Sequence, residues 1–209
     1  MAAHIITPPI LESGDHLTRD EFHRRYCERP DIRKAELVEG VVYVASPVRV
    51  IHGVPHASVV GWLYAYHAKT PGVQLGIETT VRLDAPNEVQ PDACLWREEL
   101  GGPRLSADGY IEGSPQLVAE VAASSASYDL HAKKEAYRRN GVQEYIVWRV
   151  LEENIVWFRL HEGEYVSVEP DERSVIESAA FPGLRLHVAR MLAGDAAAVL
   201  AELETHPGG

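Results

Sequence analysis

Cysteine is scarce in this 209-residue chain: only Cys27 and Cys94 are present, far apart and outside any metal-type spacing. This pattern favours two free thiols in a reducing cytoplasm over a disulfide framework or a cysteine-based zinc site. No run of about 18 apolar residues occurs, so we expect no membrane span. The N-terminus lacks a basic start followed by an apolar block, and we therefore expect no secretory signal.

The chain also has fewer basic than acidic residues. The chain has 20 Lys and Arg residues against 31 Asp and Glu residues, for a formal net charge of −11. This balance argues against a general nucleic-acid binder, which is usually basic. It does not exclude a nuclease, because acids around a metal site add to the deficit. Two basic clusters are either solvated helix faces or functional: Arg19, Arg24, Arg25, Arg29, Arg33 and Lys34, then Lys133, Lys134, Arg138 and Arg139.

Several catalytic motifs are missing. The chain has no Gly-x-Gly-x-x-Gly, no phosphate-binding loop and no His-Glu-x-x-His. The serine-rich segment 124–127 lacks a nucleophile elbow and better fits a turn and N-cap before a helix.

The elements predict one domain at 18–204, preceded by a loosely docked arm at 1–17 and followed by a disordered tail at 205–209. Thr18 and Glu21 form a capping box for a helix to about Cys27, and Glu39-Gly40 predict a hairpin turn within 36–44. We further predict helices at 56–68, 127–139 and 188–204, strands at 73–83, 90–96, 116–122, 144–150, 154–160 and 164–168, and a loop at 100–115. Without strict βαβ alternation, this order indicates a mixed α/β or α+β fold.

Two acids lie on predicted strands. Asp92 follows Pro91 and opens an apolar strand, where a carboxylate must be paired or bind a metal unless it is a turn-forming residue at the edge. Glu120 lies near the end of an almost wholly apolar strand that we expect to be central and covered on both faces. It therefore faces a cleft, unless it is salt-bridged or exposed at an edge.

The helix predicted at 127–139 contains a lysine that is a candidate for the same site. Asp129, Lys133 and Tyr137 are spaced i, i+4, i+8 and form one stripe, although an Asp–Lys pair at this spacing is also an ordinary surface salt bridge. Lys134 is the alternative base. Two carboxylates can hold Mg²⁺ or Mn²⁺ through oxygen ligands, and the ion can activate water against a phosphodiester. A neighbouring lysine can position the nucleophile or neutralise the phosphate.

An ordered series of motifs resembles the Uma-two family of restriction endonuclease-like proteins, in the PD-(D/E)XK nuclease superfamily. The motifs are Pro-Asp at 91–92, Glu-Val at 120–121, Asp-x3-Lys-x3-Tyr at 129–137, Gly-Val-Gln-Glu-Tyr at 141–145, Glu-Leu-Val-Glu-Gly at 36–40, Ser-Pro at 46–47 and His56. The resemblance covers roughly residues 18–190. It implies a central mixed β-sheet flanked by helices, with an N-terminal helix and hairpin. It also implies that Asp92 and Glu120 are metal ligands and Lys133 the catalytic lysine.

The chain departs from the superfamily pattern at Ala122, where the lysine usually stands two residues after the glutamate. The resemblance implies that Lys133 reaches the site from the following helix. Ile146 replaces a tryptophan that is usual in the family, which we interpret as a packing change. Glu36, His56 and Tyr137 are auxiliary candidates. We expect Glu36 either to bind metal through water or to pair with a basic residue, and His56 either to bind metal or phosphate or only to begin a helix. Tyr137 is expected to line the same wall of the cleft as Lys133.

We therefore expect a Mg²⁺- or Mn²⁺-dependent endonuclease that hydrolyses DNA and acts as a cytoplasmic homodimer. Candidate dimer surfaces are the apolar segment 191–200 and the strand-rich region 144–168. The alternative is a catalytically silent nucleic-acid-binding or assembly protein that keeps the nuclease fold, which the acidic balance and Ala122 favour.

Overall fold

The fold is known from a computed structural model that describes residues 10–123 and 128–203. Its helices are α1 Arg19–Cys27, α2 Val50–Lys69, α3 Lys134–Arg139, α4 Val188–Leu192 and α5 Ala196–Glu202, with a 3-10 turn at Glu98–Leu100 and a π-helical turn at Asp129–Lys133. Its strands are β1 Ala35–Val38, β2 Val41–Val44, β3 Gln74–Ile77, β4 Val81–Asp84, β5 Asn87–Val89, β6 Ala93–Trp96, β7 Arg104–Leu105, β8 Ile111–Glu112, β9 Leu117–Ala122, β10 Glu144–Arg149, β11 Asn154–His161, β12 Glu164–Ser167, β13 Val175–Glu177 and β14 Arg185–His187.

The strands form two larger sheets and one small one. The main sheet has the order β12-β11-β10-β9-β6-β3, and the second sheet has the order β2-β1-β5-β4-β8-β7. In the main sheet β9 and β10 are parallel while the other neighbours are antiparallel, so the sheet is mixed as predicted. The pair β13 and β14 makes the third sheet.

Strand β9 is the centre of the main sheet, and every residue of it is buried. Leu117, Ala119 and Val121 face a core that includes Trp62 and Leu63 of α2. Residues of the opposite face pack with α3 and with the aromatic side chains of the main sheet. The strand is therefore covered on both faces, which confirms the expectation from its nearly unbroken apolar sequence.

The N-terminal helix and hairpin are also confirmed. The Thr18 hydroxyl accepts a hydrogen bond from the Glu21 backbone N–H, and α1 ends at Cys27. Between β1 and β2, Glu39 and Gly40 have φ of 53° and 74°, the left-handed pair that a tight two-residue hairpin turn requires. Residues 10–17 lie along β2, and Leu11 within them is buried.

The strand predicted at 73–83 is wrong as a single element. It is two strands, β3 and β4, which belong to different sheets. Glu78 between them has a φ of 48°, a left-handed conformation that breaks the extended chain and turns it from one sheet to the other. The strand predicted at 90–96 is shorter, since Gln90, Pro91 and Asp92 form the link from β5 back to β6.

Three other boundaries differ from the prediction. Helix α2 starts at Val50 and continues through Pro55, its sixth residue, although Pro55 has no N–H to donate to the Ile51 carbonyl. The loop predicted at 100–115 contains the short strands β7 and β8. The helix predicted at 188–204 is two helices, because Gly194 has a φ of 73° and Asp195 caps a new helix.

The strands at 116–122, 144–150, 154–160 and 164–168 are confirmed to within one or two residues. Gly141, with a φ of 76°, closes α3 as predicted. The predicted N-cap at 124–127, the first nine residues and the tail at 205–209 lie outside the described residues. No helix in the described ranges combines the length and the apolar character that crossing a bilayer needs.

Candidate active site

Asp92 and Glu120 are neighbours across two strands of the main sheet. The antiparallel register pairs Ala93 with Ala119, so the next residues outward, Asp92 and Glu120, stand opposite each other. The Asp92 backbone N–H donates to Glu120 Oε2 at 3.4 Å, and the Val121 backbone N–H donates to Asp92 Oδ2 at 2.7 Å. Both carboxylates are thus held at the end of the main sheet where the chain enters it from the second sheet.

Glu120 is buried and has two donors on one oxygen. Lys133 Nζ lies 2.6 Å from Glu120 Oε1, and the Tyr137 hydroxyl donates to the same oxygen at 3.0 Å. Burial and the neighbouring Glu120 carboxylate raise the pKa of Tyr137, so its hydroxyl keeps the proton that it donates. Tyr137 therefore fixes the orientation of the Glu120 carboxylate.

Lys133 enters the cleft from the π-helical turn and is only 2% exposed. Its ammonium donates to both oxygens of Glu36, at 2.9 and 3.2 Å, and lies 3.8 Å from Asp129 Oδ1. The alternative that Asp129 and Lys133 form only an ordinary surface pair is wrong, because both residues are buried. Lys134 points elsewhere: its ammonium lies 3.7 Å from the centre of the Phe158 ring.

The two auxiliary candidates also lie here. Glu36 on β1 accepts from Lys133 and, at 2.8 Å, from the Gln90 backbone N–H, so it ties the second sheet to the link that carries Asp92. His56 Nε2 lies 3.1 Å from the Asp92 backbone carbonyl oxygen, to which it donates. His56 thus holds the backbone of Asp92 rather than its carboxylate.

Sequence reasoning missed two residues of the site. Lys34 Nζ lies 3.0 Å from Asp92 Oδ1, and His52 Nε2 lies 3.9 Å from the same oxygen. Lys34 belongs to the first basic cluster of the sequence, but nothing local distinguishes it from its exposed neighbours. His52 stands one turn before His56 on α2, in a part of the helix that the sequence pattern did not predict.

We use the name acidic cleft for this group, which has four buried carboxylates and two ammonium groups: Glu36, Asp92, Glu120 and Asp129, with Lys34 and Lys133. If all are ionised, four negative and two positive charges leave two negative charges in excess. Burial, followed by the neighbouring carboxylates, raises the pKa of Glu120 to about 8 despite the opposing Lys133 ammonium. Burial also works against ionised Asp92, but Lys34 and the Val121 N–H hold its pKa below the ordinary value.

The acidic cleft opens into a cavity of about 880 Å³. Val48, Ile51 and Leu151 form an exposed apolar rim beside it. Among the described residues, no three His, Cys, Asp or Glu side chains are arranged to hold a metal ion. The donor set nevertheless fits Mg²⁺, which proteins commonly bind through one or two carboxylates while water and substrate phosphate complete the shell. With every group ionised, the excess of two negative charges also matches a divalent cation.

Comparison with known proteins identifies a family and a structural neighbour for the chain. Residues 19–189 match the model of a family described as "Uma2: Putative restriction endonuclease". A crystal structure described as a "putative nuclease belonging to DUF820" from Anabaena variabilis superposes with a TM-score of 0.57 at 15% identity. The alignment covers 77% of this chain and 90% of the other. No curated protein matches the chain. The structural likeness confirms the predicted restriction endonuclease-like fold.

Proposed function

The chain belongs to the Uma2 family, and from that premise we propose that it is a metal-dependent endonuclease that hydrolyses DNA phosphodiester bonds. The observation that carries the proposal is the acidic cleft: one carboxylate on β9, a second on the residue just before β6, and a buried lysine bonded to the first of them. The nuclease descriptions of the family and of its structural neighbour support the same reaction class.

We propose Asp92 and Glu120 as the residues that hold Mg²⁺ or Mn²⁺. When bound, the ion withdraws charge from the scissile phosphate and makes water more acidic. Val121 N–H and Lys34 orient the Asp92 carboxylate, and the Tyr137 hydroxyl orients that of Glu120. These contacts keep both ligands in place before substrate arrives, which lowers the cost of assembling the site.

Lys133 is the proposed catalytic lysine. Burial opposes its charge, but Glu120 and Glu36 raise the pKa of Lys133 well above its ordinary value, so it stays an ammonium. An ammonium is suited to stabilising charge on the phosphate oxygens as water attacks phosphorus and the bond to the leaving sugar oxygen breaks. We therefore assign Lys133 to charge stabilisation and not to proton abstraction.

Supercoiled plasmid provides the direct test. We expect the purified protein to nick the plasmid with Mg²⁺ or Mn²⁺. Nicking should stop when EDTA removes the ion, because the cleft carboxylates alone do not neutralise phosphate charge. Gel electrophoresis measures the conversion of supercoiled to open-circular DNA. Binding of plasmid without nicking under every metal condition would instead support the silent nucleic-acid-binding alternative.

We also propose a homodimer, because one cleft of this kind contacts one strand and a duplex presents two. Of the two candidate surfaces, segment 191–200 contributes Met191 and Val199 to the core, at 3% and 2% exposure. The strand-rich region keeps Val166 on β12 at 53% exposure and is the better candidate. Light scattering at micromolar concentration should give the dimer mass, and a monomer mass would contradict this proposal.

A further inference from the structure

A second cluster of reactive side chains lies away from the acidic cleft, between α1 and the second sheet. We use the name thiol cluster for Cys27, His23, Glu88, Arg82 and Tyr110. Cys27 at the end of α1 is exposed, and its sulfur lies 3.4 Å from His23 Nε2. His23 Nδ1 lies 2.8 Å from Glu88 Oε1, and Glu88 is 1% exposed. A thiol, an imidazole and a carboxylate are thus lined up in that order.

The partners of His23 determine its tautomer. The Glu88 carboxylate can only accept a hydrogen bond, so Nδ1 carries the proton and donates to it. Arg82 can only donate, and its terminal nitrogen lies 3.0 Å from His23 Nε2, so Nε2 keeps its lone pair. The one lone pair of Nε2 is therefore shared by two donors, Arg82 at 3.0 Å and the Cys27 thiol at 3.4 Å, so the unprotonated nitrogen lies within reach of the thiol proton.

The surroundings support the same chemistry. A nucleophile in reach of a base that a third group orients is the arrangement that activates serine and cysteine side chains. The Arg82 guanidinium is held at the cluster by Asp108 and by the Tyr110 ring, 4.4 Å from its carbon. Within residues 10–123 and 128–203, no group donates a hydrogen bond to Glu88 Oε2, which forms an ion pair with Arg82 Nε at 3.6 Å.

From this geometry we propose that Cys27 is a base-assisted thiol that exchanges with small-molecule disulfides and becomes S-thiolated. His23 takes the thiol proton, and the Cys27 sulfur bonds to one disulfide sulfur as the disulfide bond breaks. The departing thiolate takes the proton back from His23, so a mixed disulfide and one free thiol result without any external oxidant. This inference is independent of the nuclease reaction.

The chain contains its own reference thiol. Cys94 is buried on β6, and burial raises the pKa of Cys94 to about 12, so it should not react in the folded protein. With dithiodipyridine, a neutral disulfide, we expect one thiol per folded chain to react and mass spectrometry to find it at Cys27. Oxidised glutathione should give one mixed disulfide at the same residue. Reaction at neither thiol, or at Cys94 first, would overturn the proposal.

His23→Gln tests the role of the base. We expect it to lower the rate constant with dithiodipyridine at least about tenfold, because general-base assistance is lost. Arg24→Gln on the same helix is the matched control and should leave the rate unchanged, since the partners of Arg24 among the described residues are Glu21 and Glu28. An unchanged rate in His23→Gln would overturn the proposal.

A second comparison does not depend on a folded variant. Cys27 of the native protein should react faster than Cys27 of the same protein unfolded in urea, where the cluster is dispersed. Proteolysis and mass spectrometry resolve the two thiols in each case. A native Cys27 that reacts no faster than the unfolded one would show that the cluster does not assist the thiol, whatever the stability of the variants.

Discussion

Lys133→Ala is expected to lose at least about a hundredfold in metal-dependent nicking and to lower the free energy of unfolding by about 3–5 kcal/mol. Both effects have one cause, since the ammonium is buried and bonded to Glu36 and Glu120. Its removal leaves those carboxylates in the interior without their cation. An exposed i, i+4 pair contributes only about 0.3–0.5 kcal/mol, but this pair is buried.

Lys134→Ala is the matched control, because Lys134 is the next residue and its ammonium stacks on Phe158 instead. It should keep wild-type nicking and lose no more than about 1 kcal/mol. Plasmid nicking measures activity, and urea denaturation followed by circular dichroism measures stability. If Lys133→Ala does not fold, Lys133→Met removes the charge while keeping the side-chain volume. If Lys134 is essential and Lys133 dispensable, the family register is shifted by one residue. If neither matters, the proposed site chemistry is wrong.

The sequence revealed the parts of the site that lie close together along the chain or on one periodic element. Glu120 was recognisable as an acid in an otherwise apolar strand, and Lys133 followed from helical spacing and family resemblance. Lys34 was not recognisable, because its meeting with Asp92 depends on how the two sheets are joined. Local sequence does not encode how close Lys34 lies to Asp92, so their contact appears only in the folded chain.

The same distinction explains the elements that were predicted and those that were not. Thr18 and the Glu39-Gly40 turn were predictable because capping and hairpin chemistry are local. Glu78 was not, because a glutamate rarely adopts a positive φ and its alternating neighbours indicate one continuous strand. The turn at Glu78 moves the chain between sheets, and Glu78 itself lines the cavity of the acidic cleft. A departure from local preference therefore helps to build the proposed site.

Glu120→Gln is expected to lose at least about a hundredfold in nicking while gaining stability in the metal-free protein at alkaline pH. The pKa of Glu120 is raised from 4.5 to about 8 in the folded protein. The folded state therefore binds this proton more tightly than the unfolded state, and the contribution of Glu120 to stability falls as pH rises through that interval. Glutamine removes the titration. It keeps an oxygen for Tyr137 and Lys133, but it gives up the carboxylate charge that pairs with Lys133 and the 3.4 Å bond from Asp92 N–H.

Melting temperatures in EDTA at about pH 5 and about pH 8.5 test the sign of this effect. Relative to wild type, Glu120→Gln should be more stable at the higher pH than at the lower one. Glu164→Gln is the control, since Glu164 is an exposed carboxylate on β12 with 76% side-chain exposure, and it should change neither nicking nor this difference. A Glu120→Gln protein that is less stable at the higher pH would mean that the Lys133 ion pair outweighs burial. If the buried Glu120 carboxylate destabilises the fold but is needed to bind metal, Glu120→Gln should lose nicking and gain stability.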